Sequence, residues 1–154
     1  MRKVYLFLFS ILVCISGYAQ GVSEIKITTS KLYGDTFDMW PKSTSKEDAI
    51  IVDWGDGSKE EYFIDPKASG YYSKVSGKIV GDTIRIFTQL TELDCTDGGV
   101  TSLFLINQLV LKKLLANKNE LTSDSYDFNG ALNLEVVNVG ENKLTLMDMR
   151  AFEK

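Results

Sequence analysis

The sequence predicts a mainly β protein: a small antiparallel β module followed by a short solenoid of leucine-containing coils with a parallel sheet. Three observations carry this expectation. Residues 20–87 alternate polar and apolar side chains with a period of two, and glycines punctuate them. That stretch has no helical period of useful length. From Leu90 onward a leucine pattern returns at Leu111 and Leu134, at spacings of 21 and 23 residues.

The 154 residues are 44% hydrophobic and 25% charged, proportions of a folded chain rather than of a disordered or collagen-like one. Arg2 and Lys3, the apolar run of residues 4–15 and the small residues Gly17 and Ala19 form a secretory signal peptide, residues 1–19, with cleavage before Gln20. The apolar run is too short for a membrane span, so none is expected after cleavage. Val13 precedes Cys14 where a lipobox would place a small residue, which excludes a lipoprotein signal. Without Arg2 and Lys3 the chain has 17 − 2 = 15 basic and 21 acidic side chains, a net charge of −6. Such a chain repels phosphate backbones, so nucleic acid is not an expected partner. There is no histidine, hence neither the commonest general base nor the commonest metal ligand.

Within the first module, residues 23–28 read as a half-buried strand. Residues 36–40 read as a second one that stops at Pro41, followed by a polar loop over 42–48. Residues 49–54 and 58–64 form a hairpin about Gly55-Asp56-Gly57, which supplies turn conformations with positive φ. Two or more short strands follow over 71–75 and 78–87.

The second module, residues 88–154, holds about three repeats that fit L-x-x-L-x-L-x-x-N/C-x-L, a leucine-rich-repeat solenoid without a clear C-terminal cap. The apolar positions point inward, and the asparagine binds backbone groups that no ladder satisfies. Gly98, Asn119 and Asn142 occupy the asparagine position, so the first copy departs from the pattern. Cys95, Ala116 and Val139 share a small core slot, which predicts a buried, unreactive Cys95. In the second half of the middle repeat Asp124 stands where an apolar residue belongs, so that arc either bulges or turns Asp124 to solvent.

Leu90-Thr-Glu-Leu-Asp-Cys95 and Glu120-Leu-Thr-Ser123 resemble the short leucine-rich repeats of secreted bacterial proteins. In that group the repeats commonly follow a β module with a V-D-W-G-D-G hairpin and a G-x-I-x-I strand. Val52-Asp53-Trp54-Gly55-Asp56-Gly57 and Gly81-Asp-Thr-Ile84-Arg-Ile86 correspond to these, the second with one extra residue after its glycine, and the hairpin is also similar to that of PKD-type surface modules. The resemblance spans residues 50–149. It implies an exported protein at a surface or in the periplasm and supplies no catalytic residues.

Candidate sites follow from side-chain chemistry. The row that a leucine-rich sheet leaves open is Glu92, Asp94, Thr96 and Asp97, then Lys113, Leu115, Asn117 and Lys118, then Val136, Asn138 and Glu141. In solenoids this concave row contacts partners, and here its charge runs from acidic to basic to mixed. Asp53, Asp56 and Glu60 are oxygen ligands of the kind calcium takes, but they lack the register of a calcium loop and fit a structural turn better. The same carboxylates are a poor glycosidase pair, being neighbours on one hairpin. Trp40, Tyr62, Tyr71 and Tyr72 offer either a platform for sugars or core packing.

The expected function is therefore a non-enzymatic binding protein without cofactor or metal, contacting a protein or glycan through the concave face. The alternative is a carbohydrate-binding or carbohydrate-active surface module that uses the N-terminal aromatics and carboxylates. Only five residues follow Met149, too few for a cap. This suggests either self-association through the C-terminal edge or a chain shortened from a longer repeat protein.

Overall fold

The computed structural model describes residues 21–45, 48–63 and 74–146. The expected signal peptide, Tyr71, Tyr72 and the C-terminal residues 147–154 lie outside them. The described chain is mainly β, with eleven strands in two mixed sheets and no helix among the described residues. They are β1 (Glu24–Thr29), β2 (Thr36–Ser43), β3 (Ile50–Asp53), β4 (Glu60–Tyr62), β5 (Val75–Lys78), β6 (Ile84–Ile86), β7 (Leu90–Asp94), β8 (Val100–Ile106), β9 (Lys113–Leu115), β10 (Tyr126–Asp127) and β11 (Val136–Asn138).

The six-stranded sheet runs β10-β8-β1-β6-β3-β4 and the five-stranded sheet runs β11-β9-β7-β2-β5. From β5 onward the chain alternates between the sheets, one strand to each in turn. Pairing is antiparallel except along β7-β9-β11 and β8-β10, which are parallel. Ile25, Ile27, Phe37, Met39, Leu93 and Leu103 are among the residues of one buried cluster drawn from both sheets. At about 25 cal/mol per Å² of apolar surface, burial of each such side chain contributes roughly 1.5–3 kcal/mol.

The period-two pattern places β1, β3 and β6, whereas β5 runs through Gly77, where the sequence put a break, and most of the strand expected over 71–75 lies outside the described residues. β1 has Ile25 and Ile27 buried between half-exposed neighbours, and β6 alternates in the same way about Arg85. Pro41 does not end β2, contrary to the sequence expectation. Among the described residues the strand pairs with β5 as far as Met39 and with β7 from Trp40 onward, so Pro41, opposite Leu93, is paired there on the β7 side alone. A residue paired on one side can lack its N–H without breaking a ladder on the other.

The hairpin at residues 53–58 is held by its own carboxylates. Asp53, buried, accepts from the backbone N–H of Gly55 (2.7 Å) and Gly57 (3.0 Å). Both glycines have positive φ, 120° and 86°. Trp54 is a core residue. It meets Tyr62 edge-on at 6.1 Å, donates Nε1–H to the Tyr62 hydroxyl (2.8 Å), and lies over Gly77, where any Cβ would collide with the indole.

Candidate binding face

The rows of the second module are built by two parallel ladders. Glu92, Leu93 and Asp94 pair with Lys113, Leu114 and Leu115, which pair in turn with Val136, Val137 and Asn138. Backbone bonds extend the ladder past the strands, from Cys95 N–H to Leu115 O (2.8 Å) and from Ala116 N–H to Asn138 O (2.8 Å). The apolar positions Leu90, Leu93, Cys95, Leu111, Leu114 and Ala116 all point into the core.

Asparagine fastens each turn to the one before it. Asn119 is buried; its Nδ2 donates to Cys95 O (3.0 Å) and Ala116 O (3.0 Å), and its Oδ1 accepts from the N–H of Gly98 (3.0 Å) and Val100 (2.9 Å). Asn142 repeats this one turn later, with Ala116 O (2.9 Å), Val139 O (2.8 Å) and the Leu121 N–H (2.9 Å). The departure at Gly98 now has a physical reason. The neighbour on that side is β2, not another turn, and a Cβ on Gly98 would come within 3.0 Å of the Phe37 ring.

Asp97, Lys118 and Glu141, expected among the open positions, lie beyond the strand ends at left-handed φ of 58°, 56° and 54°. The recurrence marks a common turn that the sequence hides, because none of the three is glycine or asparagine. The middle arc both bulges and exposes Asp124. A tight turn returns from Ser125 N–H to Thr122 O (3.1 Å), and Tyr126 then pairs with Leu103, an offset of 23 residues. Tyr126 and buried Phe128 thereby take the places of Leu103 and Leu105.

Glu92, Asp94, Lys113, Leu115, Val136 and Asn138, proposed for contact, lie in β7, β9 and β11 on the side of the five-stranded sheet turned away from the core, and Thr96 and Asn117 follow just past the ends of β7 and β9. The structure adds residues that the repeat pattern did not reach. β2 lies antiparallel beside β7, so Lys42, Glu92, Lys113 and Val136 form one cross-strand row and Trp40, Asp94, Leu115 and Asn138 the next. In the first row Glu92 sits between two cations, 3.0 Å from Lys42 Nζ and 3.6 Å from Lys113 Nζ. At the far corner Lys74 lies over the Trp40 ring (6.0 Å) and 2.8 Å from Asp38, whose carboxyl this bond and one from Ser76 hold below its ordinary range. Several polar members have local work. Asp94 accepts from Thr96 N–H (2.9 Å), Thr96 donates to Asn117 Oδ1 (2.9 Å), and Asn138 accepts from Gly140 N–H (3.1 Å). Val136, 48% exposed, and half-buried Leu115 supply apolar surface beside the charges, toward the β11 edge.

The other candidates separate. Tyr62 belongs to the six-stranded sheet and packs on Trp54, whereas Trp40 stands on the five-stranded sheet, so the two do not make one platform. Burial, and then the hydrogen bond to Glu60, push the Tyr62 hydroxyl above its ordinary pKa. Asp53, Asp56 and Glu60 are each engaged locally, with the hairpin N–H groups, Ser58 and Tyr62 respectively. No group of three or more acidic or thiol side chains among the described residues could hold a metal ion. Cys95 is fully buried, and burial pushes its thiol up to about 12. Comparison with family models, curated proteins and solved structures gave no match.

Proposed function

We propose that this chain is an exported, non-enzymatic binding protein of a cell surface or periplasm, in which residues 88–146 are a leucine-rich-repeat solenoid and the outer face of the five-stranded sheet is the contact surface. The parallel ladders, the two asparagines that fasten successive turns and the left-handed row support the repeat reading. The observation that carries the binding reading is the pair of registered rows across β2, β7, β9 and β11. They place charges of both signs beside the apolar surface of Leu115 and Val136 on one sheet face, a form suited to a protein surface of mixed charge.

The export reading rests on the N-terminal sequence, and among the described residues no helix is long and apolar enough to cross a membrane. Leu115→Arg combined with Val136→Arg tests the face. Both side chains lie outside the core, so the fold survives, and far-UV circular dichroism verifies this. With membrane and surface fractions of the source cells as bait, a partner cross-linked to the native chain and lost with the double variant supports the proposal. A partner retained equally by both overturns it.

A further inference from the structure

We infer that the turn carrying Leu32 and Tyr33 is a second binding site, one that takes a single sugar unit of a neutral polysaccharide. It stands apart from the sheet face. Leu32 and Tyr33 are 73% and 78% exposed, yet their turn is firmly held. Asp35 N–H returns to Leu32 O (3.0 Å), with Gly34 at φ 85° in the third position and Tyr33 in the second, a type II turn. Asp35 Oδ2 accepts from the Leu32 N–H (2.9 Å). The turn is also tied to the connection that follows β5, through Gly34 N–H to Ile79 O (2.8 Å) and Ile79 N–H to Asp35 O (3.0 Å). Ordering backbone costs conformational entropy. Here it fixes two large apolar side chains in water, the arrangement of a preorganised contact.

Beside the tip is a cavity of about 290 Å³, at the small end for ligand sites and suited to one ring rather than an extended chain. Ile79 and Ile84 form its apolar floor, Leu32 and Tyr33 one wall, and Thr29, Lys31 and Asp82 its polar rim. The two charges on the rim are opposite. An anion meets Asp82 and a cation meets Lys31, so a neutral ligand fits best. Lys31 Nζ is already committed to Thr36 O (3.0 Å). Asp82 is exposed and has no hydrogen bond or ion pair among the described residues, leaving its oxygens to accept from ligand hydroxyls. An aromatic ring, an apolar floor and free carboxylate acceptors are what a sugar presents partners for: an apolar C–H face and a rim of O–H donors.

Native electrophoresis of the chain from residue 20, in gels containing laminarin, xylan or mannan and in a saccharide-free gel, tests this. The expected result is retardation in at least one saccharide gel. Tyr33→Ala should then lower the apparent affinity about tenfold, in line with loss of an aromatic hot spot. Asp82→Asn, scaled to its own saccharide-free mobility, should lower it severalfold, and Leu115→Arg with Val136→Arg should leave it unchanged. Tyr33 and Asp82 are exposed, so these variants fold. No retardation in any gel overturns the inference, as does retardation that Tyr33→Ala does not change. Tyr33-dependent retention on immobilised poly-L-lysine without saccharide binding also overturns it, assigning the cavity to a basic peptide instead. Failure here leaves the sheet-face reading intact, since the two sets of variants share no residue.

Discussion

Asn119 illustrates how one side chain replaces a ladder. Its amide satisfies two buried carbonyls and two buried N–H groups across two turns of chain. Alanine there orphans Cys95 O and the N–H groups of Gly98 and Val100, while Ala116 O keeps Asn142 Nδ2, and each buried polar group left unpaired costs about 1–3 kcal/mol. Asn119→Ala should therefore destabilise by roughly 3 kcal/mol or more, and half-buried Asn142→Ala by roughly 1–2 kcal/mol, read from urea midpoints. A loss at Asn119 no greater than at an exposed asparagine such as Asn129 would refute this account. Lys118 presents the opposite case, a residue in a conformation it disfavours. Lys118→Gly relieves the left-handed strain while loosening the unfolded chain, and should be nearly neutral; Lys118→Val should cost about 1–2 kcal/mol. Cys95 should resist thiol reagents in the native state, because its burial and raised pKa both suppress the thiolate. The repeat slot predicted that burial from sequence. The left-handed row at Asp97, Lys118 and Glu141 was not legible, since the positive φ belongs to the turn after each strand and none of the three is a residue type that favours it.

At the level of elements, what the sequence showed and what it hid divide by the range of the cause. Strands such as β1, β6 and β9 were legible because burial on one face imposes a period of two, a local signal. The continuation of β2 through Pro41 was not, because it depends on a change of partner from β5 to β7, more than fifty residues away for Leu93. The middle arc was half legible. Asp124 announced an irregularity, but only the pairing of Tyr126 with Leu103 shows that the bulge shifts the following arc into register. For the candidate face the repeat gave eleven positions, of which Asp97, Lys118 and Glu141 fall in turns, while Trp40 and Lys42 came from a module that no repeat pattern describes. Where these elements meet, carboxylates set the response to acid. Asp38, bonded by Lys74 and Ser76, and Glu120, bonded by Lys143 and Ser30, both have lowered pKa values. A group whose folded pKa lies below its unfolded one binds fewer protons when folded, so stability rises with pH across that window. The contribution is present at neutral pH and disappears as pH falls below about 4 through the folded values. The urea midpoint should drop between pH 5 and pH 3, and by less in Asp38→Asn. An equal drop in that variant would exclude Asp38 as a contributor.

For the whole molecule, the division near residue 88 is where composition changes, but the pairing runs straight across it. β1, from the first module, is bonded along its length to β8 of the second, and β2 is bonded to β7. The N-terminal strands thus flank residues 90–106 on both sheets, and they bury Phe37 against Gly98. Ile25 and Ile27 share one cluster with Leu103 and Leu105, so separating the modules would open that cluster to water along its middle. Two modules that merely abut would unfold separately; two that share sheets and core should unfold together. The chain from residue 20 contains reporters on both sides. Trp40 and Trp54 fluoresce from the first module, and Cys95, its single cysteine, lies in the second. Tryptophan emission and thiol exposure should follow urea with coincident midpoints, and a fragment of residues 20–87 should lack a cooperative transition. Separate midpoints, with the fragment folding on its own, would show instead that the boundary read from composition is also a boundary of folding, and that the shared strands contribute little to holding the two halves together.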